Sequence, residues 1–229
     1  MNTKIIIALD YASEKEAFCL INQLDPSLCA LKIGSEMFTL FGKNFVTTLI
    51  ERGFKIFLDL KFHDIPNTVA AACKAAAELG VWMINVHAAG GLAMMKAAKA
   101  ALISVKNPPL LIAVTVLTSM SEDELKTIGV ERPISQQVEY LALLAKKAGL
   151  DGVVCSALEA SMIKASCGES FLTITPGIRL KEDEADDQIR IMTPDKAVAL
   201  GADHLVIGRS ITRAARPLAR LQQIQQLLS

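Results

Sequence analysis

Three charged side chains arrive within six residues in the stretch Lys55-Ile-Phe-Leu-Asp-Leu-Lys-Phe-His-Asp-Ile-Pro-Asn-Thr68: Asp59, Lys61 and Asp64. They follow Ile56, Phe57 and Leu58, an apolar run of the kind a parallel sheet covers on both faces. Side chains alternate along a strand, so Asp59 and Lys61 are expected on one side, which at the end of a barrel strand is the barrel mouth. An ammonium held beside a carboxylate suits proton transfer and the stabilisation of negative charge developing on carbon. The plain alternative is an ion pair at a sheet edge. The apolar run argues against an edge, and burying several charges without a task is costly. Pro66 and Asn67 break the strand, and Thr68 opens an Ala-rich helix.

Those side chains need elements to position them. Short apolar, β-rich runs alternate with Ala-rich stretches along the 229-residue chain. The runs at 5–9, 30–33, 56–58, 82–86, 110–116, 152–154, 172–174 and 204–207 read as strands. The stretches at 15–23, 43–52, 69–79, 92–103, 136–148, 157–165, 195–200 and 218–228 read as helices. Eight β-α units predict an α/β fold, a (β/α)8 or TIM barrel. With no linker or low-complexity segment, 1–229 is expected to be a single domain. The alternative, a doubly wound open sheet, would put a glycine-rich turn after the first strand, and residues 10–14 hold no glycine. Each of the eight strand ends carries polar groups: Asp10, Lys32, Asp59 with Lys61, Asn85-Val-His87, Thr115-Val-Leu-Thr-Ser119, Cys155-Ser156, Thr175-Pro-Gly-Ile-Arg179 and Gly208-Arg209-Ser210. Strand ends are where barrels place their chemistry.

Lys32, Asp59, Lys61 and Asp64 form an array of alternating sign, in which each charge favours the ionised form of its neighbour. Lys32 also has a purely orienting reading, as an ion pair that aims Asp59. Gly208 and Arg209 sit where the last strand turns into a helix, and they read as a phosphate site: a glycine for close backbone approach, then a bidentate guanidinium. By itself this corner says only that the ligand is phosphorylated. The polar segment 175–190 is too long for an ordinary βα turn and reads either as a lid over the mouth or as a solvated loop. On spacing alone, Asp10 is equally an N-cap for a helix opening near Ser13, and Thr118 a cap before the acidic Ser121-Glu-Asp-Glu. No His/Ser/Asp arrangement is readable around His63, His87 or His204, and none is assigned to catalysis.

Composition narrows the class. Hydrophobic residues make up 52% of the chain, which suits strands covered on both faces. Lys plus Arg and Asp plus Glu number 24 each and aromatics are 5%, with no basic stripe, so nucleic acid is not an expected partner. No apolar run approaches the length of a membrane span, and no signal-like segment precedes the first strand. Cys19, Cys29, Cys73, Cys155 and Cys167 form no C-x-x-C pair and read as buried or incidental thiols in a reducing cytoplasm.

The stretch Asp59-Leu-Lys-Phe-His-Asp64-Ile-Pro-Asn-Thr68 closely resembles the signature of the orotidine 5′-phosphate decarboxylase family. A bare D-x-K-x-x-D is shared with a sister group of magnesium-dependent sugar-phosphate lyases, and the Ile-Pro-Asn-Thr that follows separates the two. The likeness extends over essentially the whole chain through Leu9-Asp10, Leu31-Lys-Ile-Gly34, the segment 175–179 and Ile207-Gly-Arg209. It implies a cytoplasmic enzyme of pyrimidine biosynthesis that decarboxylates orotidine 5′-phosphate to uridine 5′-phosphate with no cofactor and no metal. It makes Lys61 the proton donor, with Lys32, Asp59 and Asp64 completing the network. It implies that Asp10 contacts the ribose hydroxyl, that Thr118 lies at the pyrimidine ring, and that Pro176, Gly208 and Arg209 belong to the substrate site. Arg179 and Gln188 would grip the phosphate as the loop closes. It also implies a homodimer in which Asp64 and Thr68 reach the neighbouring subunit's site. The sister lyases carry a metal-binding glutamate on strand two, where this chain has Lys32, and a lysine repels a divalent cation. A non-catalytic nucleotide-binding barrel would be expected to have lost a member of the array, and all four are present.

Overall fold

In the computed structural model, which describes residues 4–180 and 192–228, eight parallel strands pair in chain order and close on themselves. They are β1 (Ile5–Leu9), β2 (Ala30–Gly34), β3 (Ile56–Phe62), β4 (Met83–His87), β5 (Leu110–Val114), β6 (Gly152–Val154), β7 (Leu172–Thr175) and β8 (His204–Ile207). The ring is sealed where Ile5, Ile6 and Ile7 pair with Leu205, Val206 and Ile207. Around it run α1 (Glu14–Ile21), α2 (Ser35–Glu51), α3 (Pro66–Glu78), α4 (Gly91–Leu102), α5 (Glu122–Thr127), α6 (Ile134–Lys147), α7 (Ala160–Cys167), α8 (Pro194–Ala199), α9 (Arg209–Thr212) and α10 (Pro217–Leu227). The expected (β/α)8 barrel is the fold observed. Among the described residues, no helix is long and apolar enough to cross a membrane. All five cysteines are free, and burial pushes the Cys29 and Cys73 thiols up to about 12, Cys29 with help from Asp25.

Strand parity builds two cores. One set of positions faces outward to the helices, among them Ile5, Ile7, Leu31, Ile33, Ile56, Leu58, Ile84 and Leu111. The other set fills the barrel: Ile6, Ala8, Ala30, Phe57, Met83, Ile112, Ile174 and Val206, with Trp82, Leu110, Val154 and Leu172 packed against them. Burying each of the larger aliphatic side chains is worth roughly 1.5–3 kcal/mol. Two residues further along β2, β3 and β4, the inward parity that places Ala30, Phe57 and Met83 reaches Lys32, Asp59 and Asn85. The interior thus changes from apolar to polar along three adjacent strands, charged on β2 and β3 and an amide on β4.

Several elements differ from expectation. Helical structure after β2 begins at Ser35 instead of 43, and Gly42, non-helical with φ 64°, puts a kink between this first piece and the one that follows. β3 runs on to Phe62 instead of stopping at Leu58, since the chain re-pairs with β4 beyond an irregularity: Leu58 opposes Ile84 and Phe62 opposes Val86. β5 stops at Val114, two residues before the end of its apolar run. The acidic segment is a short helix, α5, capped by Ser121 in a reciprocal box with Glu124. α1 is capped by Ser13, whose side chain accepts from the Glu16 N–H. Neither Asp10 nor Thr118 is therefore the cap of the helix that follows it.

Candidate active site

The strand ends enclose a cavity of about 610 Å³, within the size that small-ligand sites occupy. On the β1–β3 side its wall includes Asp10, Lys32, Asp59 and Lys61; on the β7–β8 side it includes Pro176, Arg179, Gly208 and Arg209. Between them stand Phe57, Val114, Val116, Val154 and Val206, with Leu117 and Thr118 following β5. One end of the cavity is rich in paired charges, the other carries guanidinium groups, and the middle is apolar. That distribution suits a ligand with a reacting anionic group at one end, a flat apolar body and a second anion at the other end.

Asp59 is the centre of the charged end. It is 7% exposed, and its Oδ1 accepts from Lys61 Nζ at 2.7 Å and from Asn85 Nδ2 at 2.6 Å. Its Oδ2 lies 3.5 Å from Lys32 Nζ, which is also 3.5 Å from Asp10 Oδ1. Burial alone would raise the Asp59 pKa. The Lys32 and Lys61 ammoniums and the hydrogen bonds from Lys61 and Asn85 outweigh it, and the carboxyl is held below its ordinary value. Asp59 is therefore a carboxylate fixed in place.

Lys61 reaches Asp59 by a route that simple alternation does not describe. Its φ is 51°, the only positive value at a non-glycine among the described residues, and it falls where the β3–β4 register shifts. Its N–H donates to the side-chain Oδ1 of Asn85 at 2.8 Å. Asn85 is fully buried and was not among the expected site residues. Its signal in the sequence was a polar side chain at an inward position of an otherwise apolar strand. Tyr11, Thr212 and Arg213 also line the cavity and were not singled out; the Tyr11 hydroxyl donates to the Thr212 carbonyl at 3.4 Å.

Asp64 and Thr68 are placed differently. Both are exposed and neither lines the cavity of its own chain. Asp64 Oδ1 accepts from the Ile65 N–H at 2.6 Å, just before Pro66 opens α3, and Ile65 beside it is 66% exposed. Within one chain, then, three members of the four-residue array meet. Past the cavity, Arg179 N donates to Met192 O at 3.0 Å and Ile178 bridges Met192, so the two ends of the segment after β7 are joined. Gln188 and most of the expected lid lie outside the described residues. The His63 and His87 rings lie tilted against each other with centroids 5.6 Å apart, and burial, then the His63 and Lys61 charges, hold the His87 pKa below its ordinary value. His204 is buried with Trp82 edge-on at 5.2 Å, a packing position. Among the described residues, no three His, Cys, Asp or Glu side chains group as metal ligands.

A family profile described as "Orotidine 5'-phosphate decarboxylase / HUMPS family" matches residues 3–224. The chain is similar to the orotidine 5′-phosphate decarboxylase of Shewanella sediminis, 59% identical over 231 residues that cover 100% of this chain and 99% of that protein. It is similarly close to the enzyme of that name from Legionella pneumophila strain Paris, 58% identical over 218 residues and 95% of each chain. The crystal structure of orotidine 5′-phosphate decarboxylase from Lactobacillus acidophilus superposes with a TM-score of 0.88 at 39% identity, covering 99% of both chains.

Proposed function

The chain belongs to the orotidine 5′-phosphate decarboxylase / HUMPS family, and from that premise we propose that it converts orotidine 5′-phosphate to uridine 5′-phosphate, closing the synthesis of the pyrimidine nucleotide, with Lys61 as the proton donor. The observation that carries this reading is Asp59 held between two ammoniums, Lys61 at 2.7 Å and Lys32 at 3.5 Å, in a cavity whose other side presents Arg179 and Arg209.

The chemistry follows from the charges. The substrate carboxylate on C6 of the pyrimidine enters a site that already holds the fixed Asp59 carboxylate, so the bound ground state is raised and relaxes as carbon dioxide departs. The C6–carboxyl bond breaks and its electron pair stays on C6. The Lys61 ammonium stabilises that pair and then transfers a proton to C6, leaving a neutral amine that solvent reprotonates. No electron acceptor is needed, because the pair never leaves the ring before the proton arrives. Lys32 keeps Asp59 ionised and aimed. Arg209, following Gly208, and Arg179 supply the cationic grip for the phosphate, with Gln188 as a further contact. Asp10 serves the ribose hydroxyl and Thr118 the ring, and Pro176 belongs to the substrate-binding wall on the β7–β8 side. The whole chain, 1–229, acts as one decarboxylase domain. Its setting is a reducing cytoplasm, a reading supported by five free cysteines.

The working unit is a homodimer with shared active sites. Support comes from Asp64 and Thr68, which are exposed and lie off their own cavity while sitting next to the array in sequence. A two-fold interface would exchange them reciprocally, so each subunit lends its Asp64 to the other's Lys61.

The activity test is the loss of ultraviolet absorbance of orotidine 5′-phosphate on incubation with the purified protein in chelator. Turnover is expected, unchanged by dialysis against EDTA, because Lys32 stands where the metal-dependent relatives ligate magnesium. Turnover lost in EDTA and restored by magnesium would overturn the metal-free reading.

A further inference from the structure

We propose that Asn85 is a positioning residue for the decarboxylation, one amide that sets both the Asp59 carboxylate and the backbone from which Lys61 projects. This role rests on the reading that Asp59 and Lys61 carry the reaction, and it assigns to β4, which contributes no wall to the cavity, a part in the chemistry.

The amide is committed at both ends. Its Nδ2 donates to Asp59 Oδ1 at 2.6 Å and its Oδ1 accepts from the Lys61 N–H at 2.8 Å. The opposite amide orientation would set oxygen against carboxylate and NH2 against N–H, so the two partners fix which way it faces. A left-handed backbone is unfavourable at a residue that bears a side chain. Lys61 adopts one where the β3–β4 register shifts, and there its N–H finds a side-chain acceptor in place of a strand carbonyl. The shift also lets Lys61 Nζ fold back onto the Asp59 oxygen that Asn85 already holds. That oxygen therefore receives two short hydrogen bonds, while its twin faces Lys32 on β2. Asn85 is 0% exposed, so water does not share either bond. A purely structural asparagine would tie together backbone groups of its own neighbourhood. The side chain of this one bonds to the two residues assigned to the reaction and to nothing else named among the described residues.

The test uses the full-length protein and the substitutions Asn85→Asp and Asn85→Ala, with the unsubstituted protein in parallel. Asn85→Asp keeps the volume and the acceptor for the Lys61 N–H but replaces the donor with a second carboxyl against Asp59. Misplacing the reacting groups should lower kcat by about 100-fold while KM for orotidine 5′-phosphate, set largely by the phosphate and ribose, stays within about threefold. In Asn85→Asp the acid limb of the pH–kcat profile should move toward neutral pH, since two adjacent carboxyls resist ionising together. Lys32 and Lys61 are the cations facing that pair, and the titratable His87, also on β4, interacts with both Asp59 and Lys61. Thermal midpoint and uridine 5′-phosphate binding serve as controls on folding and on the non-reacting end of the site. A folded Asn85→Asp protein with unaltered kcat and acid limb overturns the proposal, as does a loss confined to KM. An Asn85→Asp chain that fails to fold assigns the residue to the fold and also overturns it; failure of Asn85→Ala alone leaves Asn85→Asp to decide. If the unsubstituted protein leaves orotidine 5′-phosphate untouched, the functional reading itself falls and this role with it. If it turns over and Asn85→Asp matches it, the role of Asn85 alone is wrong.

Discussion

Lys61 stands at the balance point of this site. Its ammonium sits 2.7 Å from an oxygen of a carboxylate that is 7% exposed, and a carboxylate so placed is stable only with compensating partners. Asp59 has three: Lys61, Lys32 and Asn85. Removing Lys61 leaves the other two, and the Lys61 side chain is 36% exposed, so its ion pair is partly screened and contributes modestly to stability. Lys61→Ala should therefore keep the fold, as read by circular dichroism and by binding of uridine 5′-phosphate, yet lose turnover, because alanine has no proton to give. A general acid is usually worth ~10²–10⁴-fold, so a residual rate above about a hundredth of the parent's contradicts the assignment.

Elements enter through what they allow those residues to do. β3 is apolar for three residues, charged at Asp59 and irregular before Phe62, and the irregularity frees the Lys61 backbone to aim its side chain. α3 starts at Pro66, whose missing N–H costs nothing at a first helical position, and this turns the chain away from the cavity directly after Asp64. β6, by contrast, is only Gly152–Val154, and it can pair between β5 and β7 because its first residue has no side chain. A Cβ at 152 would collide with the carbonyl oxygen and the Cβ of Leu172 on β7. Gly152→Ala is thus expected to strain the β6–β7 pairing at the end of the barrel opposite the site. The stability loss should be about 1–3 kcal/mol, as for other overpacked interiors, measured as a lower denaturation midpoint with kcat per folded protein unchanged. An unaltered midpoint would mean that β6 and β7 can separate without penalty.

At the scale of the whole molecule, the question is how many chains make one site. A single chain brings Lys32, Asp59 and Lys61 together and leaves Asp64 outside, exposed and accepting only from Ile65 among the described residues. If the two-fold assembly completes the array, Lys61→Ala and Asp64→Ala homodimers should each be nearly inactive. In a mixed dimer one site collects both substitutions and the other neither, so activity should reappear after subunit exchange, at up to one intact site per heterodimer. Heterodimers confirmed as such that remain as inactive as their parents would show that Asp64 serves its own barrel.

The barrel and most of the side chains that line its cavity were readable from the chain alone, and the reason is local. Strand parity, the apolar runs and the polar residue at each strand end are properties of short stretches, so eight β-α units and the positions of Asp10, Lys32, Asp59, Lys61 and Arg209 follow from sequence spacing. What spacing could not decide were contacts between residues distant in the chain or departures from regular backbone. Asp10 and Thr118 could be cavity residues or helix caps until Ser13 and Ser121 were seen to take the capping bonds. Asn85 looked like one more strand-end polar group, because its two bonds span 24 and 26 residues and exist only once β3 and β4 are paired. The left-handed Lys61 was equally hidden: alternation predicts the right neighbour, Asp59, but the irregularity that brings Nζ to it depends on where β3 re-pairs with β4. Sequence determines which groups stand at the mouth of the barrel; only the closed sheet, with its strand-to-strand register, decides which of them hold one another, because that register is set by packing across the whole ring.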